Sequence, residues 1–285
     1  MTAAARRTRL PLATDRLPLG LSGLMVSPLC LGITGDPAVV PAAFDAGVNF
    51  FFLTADLHWP LYEGLRRGLG LLLARSPSVR DRVVVAAVSY LDEPLFQYLQ
   101  FHEVLGAVPG LGRIDLAIAG AVPGLANFNS RYVPLHAARA AGRWGMRATG
   151  ASFHDRPTAL ACLNADAIDV GFIRYNASHP GARHDLLPHL RPSRGALVFN
   201  FTTMLGRVLP QQFAQLGLDG RSWLPTPTDY YRFVLSNSGV DGLLCAPRTV
   251  AELDDLQACL HRPPLTAEEE EYVVWLSTKV NRQYF

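Results

Sequence analysis

Eight times between residues 29 and 260, a short run of β-branched or aromatic residues gives way to a longer stretch whose apolar residues recur at helical spacing. Strands expected at 29–32, 48–53, 83–88, 113–119, 146–151, 168–175, 196–201 and 240–245 alternate with helices expected at 38–46, 60–74, 93–107, 130–142, 156–164, 183–190, 227–237 and 249–260. Neighbouring parallel strands need a long crossover, usually a helix, so the alternation predicts repeated βα units. Eight units without a break predict an α/β fold, a (β/α)8 TIM barrel, with its chemistry at the C-terminal ends of the strands. A doubly wound open sheet is the structural alternative. The 285 residues suffice, since such a barrel takes about 250.

Local signals set the boundaries. Asp92, Ser130, Asp155 and Thr226 stand where helix N-caps are needed, and Pro227 suits a first helical turn. Gly47, Gly145, Gly195 and Gly239 each precede a strand, where a helix C-cap calls for positive φ. Ahead of the first unit, residues 17–27 read as a β-hairpin turning at Ser22-Gly23 that plugs the lower end of the barrel. Residues 265–285 read as a terminal helix, with the acidic run 268–271 at the positive end of its dipole. Residues 1–16 read as an irregular arm, because Asp15, Arg16 and two prolines interrupt the apolar segment that a secretion signal would need after Arg6-Arg7. No linker or shift in composition divides the chain, so one domain, 1–285, is expected. The connection 209–228 is the longest and reads as a lid or a partner surface.

Composition narrows the function. Lys+Arg 26 against Asp+Glu 24 gives a net charge of +2, too balanced to argue for nucleic acid or an anionic membrane as a partner. The longest apolar runs fall far short of the roughly 20 residues of a membrane span. Cys30, Cys162, Cys245 and Cys259 are scattered and form no CxxC pair, which points to a reduced, cytoplasmic protein rather than a disulfide scaffold or a structural zinc site. Of the 26 basic residues 25 are arginine, and the single lysine, Lys279, falls in the terminal helix. Any mechanism that needs a lysine within the barrel is closed to this chain.

The stretches LGLSGLMVSPLCLGITG, AAFDAGVNFFFLTADLH, RDRVVVAAVSY, IDLAIAG, RATGASFHD, VGFIRYN, FNFTTMLGRVLP and VDGLLCAPRTVAELDDL, in that order and spacing, resemble the aldo-keto reductase superfamily. The resemblance implies a hairpin-plugged barrel, NADP(H) lying across its mouth, and carbonyl reduction by an Asp, Tyr, Lys and His tetrad whose tyrosine protonates the developing alkoxide. At the matching positions this chain has Leu53, His58, Val88 and Gly120, so the framework is expected without the standard reduction. The family's Ser-Asn pair that holds the nicotinamide amide reads Ser152-Phe153, and its strand-six glutamine falls near Phe172. Arg248-Thr249 matches the basic residue and hydroxyl beside the 2′-phosphate, whereas the Glu-Asn pair that follows reads Asp254-Asp255. On this basis Arg248, Thr249, Ser152 and Asn176 are the expected cofactor contacts, and whether NADP(H) binds at all stays open.

Polar residues expected at the strand ends are Asp56 and His58, then Ser152, His154 and Asp155, then Arg174, Tyr175, Asn176 and His179, then Asn200 and Thr202. Taken singly each reads as a loop cap or a satisfied side chain; as a set they exceed what closing a barrel requires. The candidate catalytic residues are His58, His154, Asp56 and Tyr175, because an imidazole with an ordinary pKa near 6.5 can serve as acid or base. No HxH or HExxH spacing exists, so no metal is expected. Trp59, Phe153, Trp223, Tyr230 and Tyr231 are expected to line an apolar pocket or to pack the loops. Three functions remain open: a non-redox acid/base enzyme (elimination, isomerisation or cyclisation) acting on a small molecule, an inactive barrel that binds a peptide or partner protein, and an NADP(H)-dependent oxidoreductase with His58 as proton donor.

Overall fold

The computed structural model describes residues 6–56, 58–218 and 222–282. A hairpin of β1 (Leu17–Leu19) and β2 (Leu24–Val26) leads into parallel strands β3 (Leu29–Leu31), β4 (Phe50–Thr54), β5 (Val84–Ser89), β6 (Leu116–Val122), β7 (Ala148–Phe153), β8 (Val170–Arg174), β9 (Leu197–Phe201) and β10 (Gly242–Cys245). These close into a barrel in the order β10-β3-β4-β5-β6-β7-β8-β9. The helices are α1 (Val39–Asp45), α2 (Glu63–Leu73), α3 (Pro94–Ala107), α4 (Leu125–Ala140), α5 (Arg156–Asn164), α6 (Ala182–Asp185), α7 (Pro210–Gln215), α8 (Pro227–Leu235), α9 (Val250–Cys259) and α10 (Ala267–Arg282). The architecture is the α/β barrel expected, with its entry hairpin and terminal helix.

Alternation along each strand sorts side chains between the barrel interior and the helix layer. Phe50, Phe172 and Phe199 point inward and meet, with ring centroids 5.4 Å apart for Phe50 and Phe199 and 5.6 Å for Phe172 and Phe199. Phe52 lies one layer higher, 5.3 Å from Phe172. These rings pack the interior and form a floor beneath the mouth. Burying each contributes about 1.5–3 kcal/mol.

The lower end is tied by a repeated device. Asp115, Asp169 and Asp241 each stand at a strand base and accept the N–H of a residue on the preceding strand, Val85, Thr149 and Val198, all at 2.8 Å. Each carboxylate also holds an arginine: Arg80 at 2.8 Å, Arg139 at 2.9 Å and Arg194 at 2.9 Å. Asp115 is fully buried and takes a second arginine, Arg113, at 3.0 Å.

Four boundary expectations change. Helix α4 begins at Leu125, so Ser130 lies inside it and donates to Asp92, which also pairs with Arg131 instead of capping α3. The helix expected at 183–190 is one short turn, α6, followed by a 3-10 turn at Leu187–His189. Gly47 and Gly145 adopt the expected positive φ, 104° and 68°, but Gly195 and Gly239 do not. The connection 209–228 contains α7, and its residues 219–221 lie outside the described ones. Asp155 caps α5 as expected, accepting the Thr158 N–H at 2.9 Å. No described helix is long and apolar enough to cross a membrane.

Candidate active site

Above the phenylalanine floor the mouth holds a cavity of about 300 Å³, walled by Ile33, Phe52, Tyr62, Tyr90, Phe172, Phe201, Met204, Tyr231 and Leu244, with His58, Ser152, His154, Thr202 and Thr203 as its polar members. His58 and Asp56 belong to the turn that leaves β4. Asp56 Oδ1 accepts the Thr54 hydroxyl at 2.7 Å and the His58 N–H at 3.0 Å, an Asx turn that fixes the backbone. The same carboxylate lies 3.0 and 2.9 Å from His58 Nδ1. Burial pushes the Asp56 pKa up, but the hydrogen bonds from Thr54 and His58 outweigh it and hold the group below the ordinary value of 3.8. The carboxylate is therefore ionised at neutral pH and can only accept, so Nδ1 donates to it and Nε2 is the ring nitrogen outside this contact.

Tyr90, two residues beyond Val88, reaches the same cavity, with its ring centroid 5.9 Å from that of His58. Gly120 makes room for it, because a Cβ there would lie 2.5 Å from Tyr90 Cδ1 and 2.8 Å from Val88 Cγ2. The absence of a side chain at Gly120 leaves its volume to a tyrosine that follows the neighbouring strand. Burial first, and then the Asp56 charge, push the Tyr90 phenol up to about 12, so it stays protonated and can donate. Sequence reasoning missed this residue; the signal available was its inward parity with Val88.

Among the other expected residues, His154 lines the cavity and accepts from Arg174 Nη2 at 3.4 Å. Partial burial, and secondarily Arg174, lower its pKa. Tyr175 is not at the mouth: one step out of phase with Phe172 and Arg174, it points into the helix layer, fully buried 5.3 Å from the Phe233 ring. Phe153 likewise faces outward onto Phe128. Of the five aromatic candidates only Tyr231 lines the cavity; Trp59 stacks under Arg66, Trp223 on Tyr272, and the Tyr230 hydroxyl accepts the Val208 N–H. Among the described residues no three His, Cys, Asp or Glu side chains group closely enough to hold a metal.

A groove of about 870 Å³ continues from the cavity past Met204, Tyr231 and Ala246 to Arg207, Arg248 and Arg262. Two of these three arginines are paired, Arg262 with Asp229 at 3.0 Å and Arg248 with Glu252. Arg248 pairs with Glu252 at 3.1 Å and also donates its N–H to it, while the Thr249 hydroxyl caps α9 by accepting the Glu252 N–H. Glu252 and Asp255 line the same groove with carboxylates. Ser152 Oγ accepts the Ala121 N–H at 2.7 Å, bracing an irregularity in β6. Asn176 is fully buried, donating to Thr202 O at 3.0 Å and accepting from Ser178 and His179. It holds Thr202 in its left-handed conformation, φ 58°. These four residues do not fit a 2′-phosphorylated nicotinamide dinucleotide: beside Arg248 its phosphate would meet the carboxylates of Glu252 and Asp255, and Ser152 and Asn176 already bond to Ala121, Thr202, Ser178 and His179.

No family model matches the chain, and no curated protein sequence matches it either. Solved structures do. One, from Pseudomonas aeruginosa and described as a "putative aldo-keto reductase", superposes with a TM-score of 0.65 over 89% of this chain and 98% of that one, at 18% identity. The likeness is one of fold: the two chains share a closed (β/α)8 barrel.

Proposed function

We propose that the barrel mouth is a proton-transfer site acting on a small, largely apolar carbonyl compound, in an isomerisation, elimination or cyclisation without redox change. The observation that carries the reading is the Asp56–His58 contact at 2.9 Å on the rim of an apolar cavity that also presents Tyr90. In the isomerising case His58 Nε2 takes a proton from the carbon next to the carbonyl. The C–H electron pair becomes the enol double bond, the carbonyl π pair moves to oxygen, and the Tyr90 hydroxyl hydrogen-bonds that oxygen. Where the substrate carries a β,γ-double bond, the oxygen pair re-forms the carbonyl, the double bond shifts to the α,β position and the γ-carbon takes the proton back from His58, an isomerisation with no electron acceptor. The volume, at the small end of the roughly 300–1,000 Å³ typical of ligand sites, favours a small molecule over a peptide.

The test is deuterium uptake from D2O by a panel of aryl-substituted aldehydes and ketones, followed by NMR with wild type and His58→Ala. Uptake above the buffer rate that disappears in the variant supports the reading, and uptake equal in both removes His58 from it. The size and continuity of the groove favour a second reading, an NADP(H)-dependent oxidoreductase with His58 as proton donor, against which Glu252 and Asp255 weigh. Saturable micromolar binding of NADPH would establish that alternative. Exposed Leu95, Phe96 and Leu99 on α3 favour a third, an inactive binding subunit, which predicts association with a partner and no turnover.

A further inference from the structure

Some arginines of the barrel have counter-ions, as Arg156 has Asp185 at 2.6 Å, Arg183 has Glu271 at 2.8 Å and Arg194 has Asp241 at 2.9 Å, while others, among them Arg82, Arg147 and Arg207, form no ion pair among the described residues. Arg174 is set apart by its place. It ends β8 two residues beyond the cavity-lining Phe172, so strand parity turns it to the barrel interior, where it borders the cavity behind two of its wall residues, His154 and Phe201, without lining it. Among the described residues it makes no ion pair. Its Nε is buried without a hydrogen-bond partner. The guanidinium reaches the neutral His154 ring at 3.4 Å, a long contact, and its carbon lies 5.9 Å from the centroid of Phe201, another wall residue. A half-buried guanidinium with five donors and no anion leaves hydrogen bonds unmade at a cost, unless a ligand supplies the anion.

The charge count around it is also informative. His154 and His179 flank Arg174, and both have pKa values lowered by partial burial and then by Arg174, with Arg156 adding to the effect on His179. Both rings therefore stay neutral at neutral pH, and Arg156 is already matched by Asp185. One positive charge is left, presented as a planar fork, which suits a singly charged carboxylate better than a doubly charged phosphate.

We propose that the mouth binds a small carboxylate with an apolar, ring-sized tail, Arg174 gripping the carboxylate while the tail lies among Phe52, Phe172 and Phe201. This names the substrate class for the proton-transfer reading and rests on it for the chemistry after binding, but binding itself is measured without turnover. Calorimetric titration with phenylacetate and with its neutral isostere phenylacetamide tests it. Wild type is expected to bind phenylacetate at least tenfold more tightly than the amide, and Arg174→Gln to bring the two to the same weak level. Equal affinity of wild type for acid and amide, no binding of phenylacetate, an unchanged Arg174→Gln affinity, or tighter binding of phenyl phosphate than of phenylacetate would each overturn it. The comparison of acid with amide needs no variant, so an Arg174→Gln chain that failed to fold would leave the question decidable. Selectivity for the acid alongside a failed deuterium-uptake assay would sink the catalytic reading and leave the carboxylate site standing.

Discussion

Substituting Gly120 by Ala probes how Tyr90 is packed at the mouth. The added Cβ would sit 2.5 and 2.7 Å from two Tyr90 ring carbons and 2.8 Å from Val88 Cγ2, all closer than carbon atoms tolerate. Forcing a methyl into such a site costs about 1–3 kcal/mol. The φ of Gly120 is outside the left-handed region, so alanine strains no backbone, and losing a glycine from the unfolded chain returns about 0.4–1 kcal/mol. In wild type the net is a destabilisation of about 1–2 kcal/mol. In a Tyr90→Ala background the ring is gone and only the Val88 contact remains, so the same substitution approaches neutrality or stabilises. Urea denaturation of the four proteins gives the coupling directly, expected at about 1–2 kcal/mol. If the two substitutions add within about 0.5 kcal/mol, Tyr90 does not occupy the space above Gly120 and the described mouth is wrong. The single Gly120→Ala variant should also lose deuterium uptake, since it displaces the proposed hydrogen-bond donor.

The same geometry sets further outcomes. His58→Ala should lower proton exchange by about 10²–10⁴-fold, the usual share of a general base, as read from initial rates in D2O. Asp115→Ala should destabilise the fold by about 3–5 kcal/mol in denaturant titrations, because it leaves Arg80 buried without its partner. For Asp229 burial raises the pKa, but hydrogen bonds from Thr226 and Arg232 and the charge of Arg262 outweigh it and depress the value. A carboxylate depressed in the folded state stabilises fully above its unfolded pKa near 3.9, and that stability is lost as pH falls through the folded value. Melting temperatures should therefore fall below about pH 4 in wild type and less steeply in Asp229→Asn.

The fold was legible because its signal is periodic. Phe50, Phe172 and Phe199 sit in runs too apolar for surface strands, and helical stretches of adequate length separate those runs. Boundaries failed where a side chain had a tertiary use: Asp92 and Ser130 look like caps, yet they bond each other across α3 and α4. The site was half legible. His58 and Asp56 stood out because an imidazole and a carboxylate at i, i+2 after a strand form an Asx turn. Tyr175 was misread for want of phase, since a one-residue error in where β8 ends moves a side chain from the mouth to the helix layer. Tyr90 was missed because its importance lies in the vacancy at Gly120, thirty residues along and on the next strand. Arg174 stood among the polar strand-end residues, but only the tertiary structure shows that it lacks a counter-ion among the described residues.

The most direct measurement places wild type, an enolisable aryl aldehyde and NADPH together in D2O and follows the proton spectrum. Loss of the signal from the carbon beside the carbonyl, with NADPH and the aldehyde carbon unchanged, is the result expected of a site that moves protons. Appearance of the alcohol at the expense of NADPH, at an enzymatic rate, would contradict it.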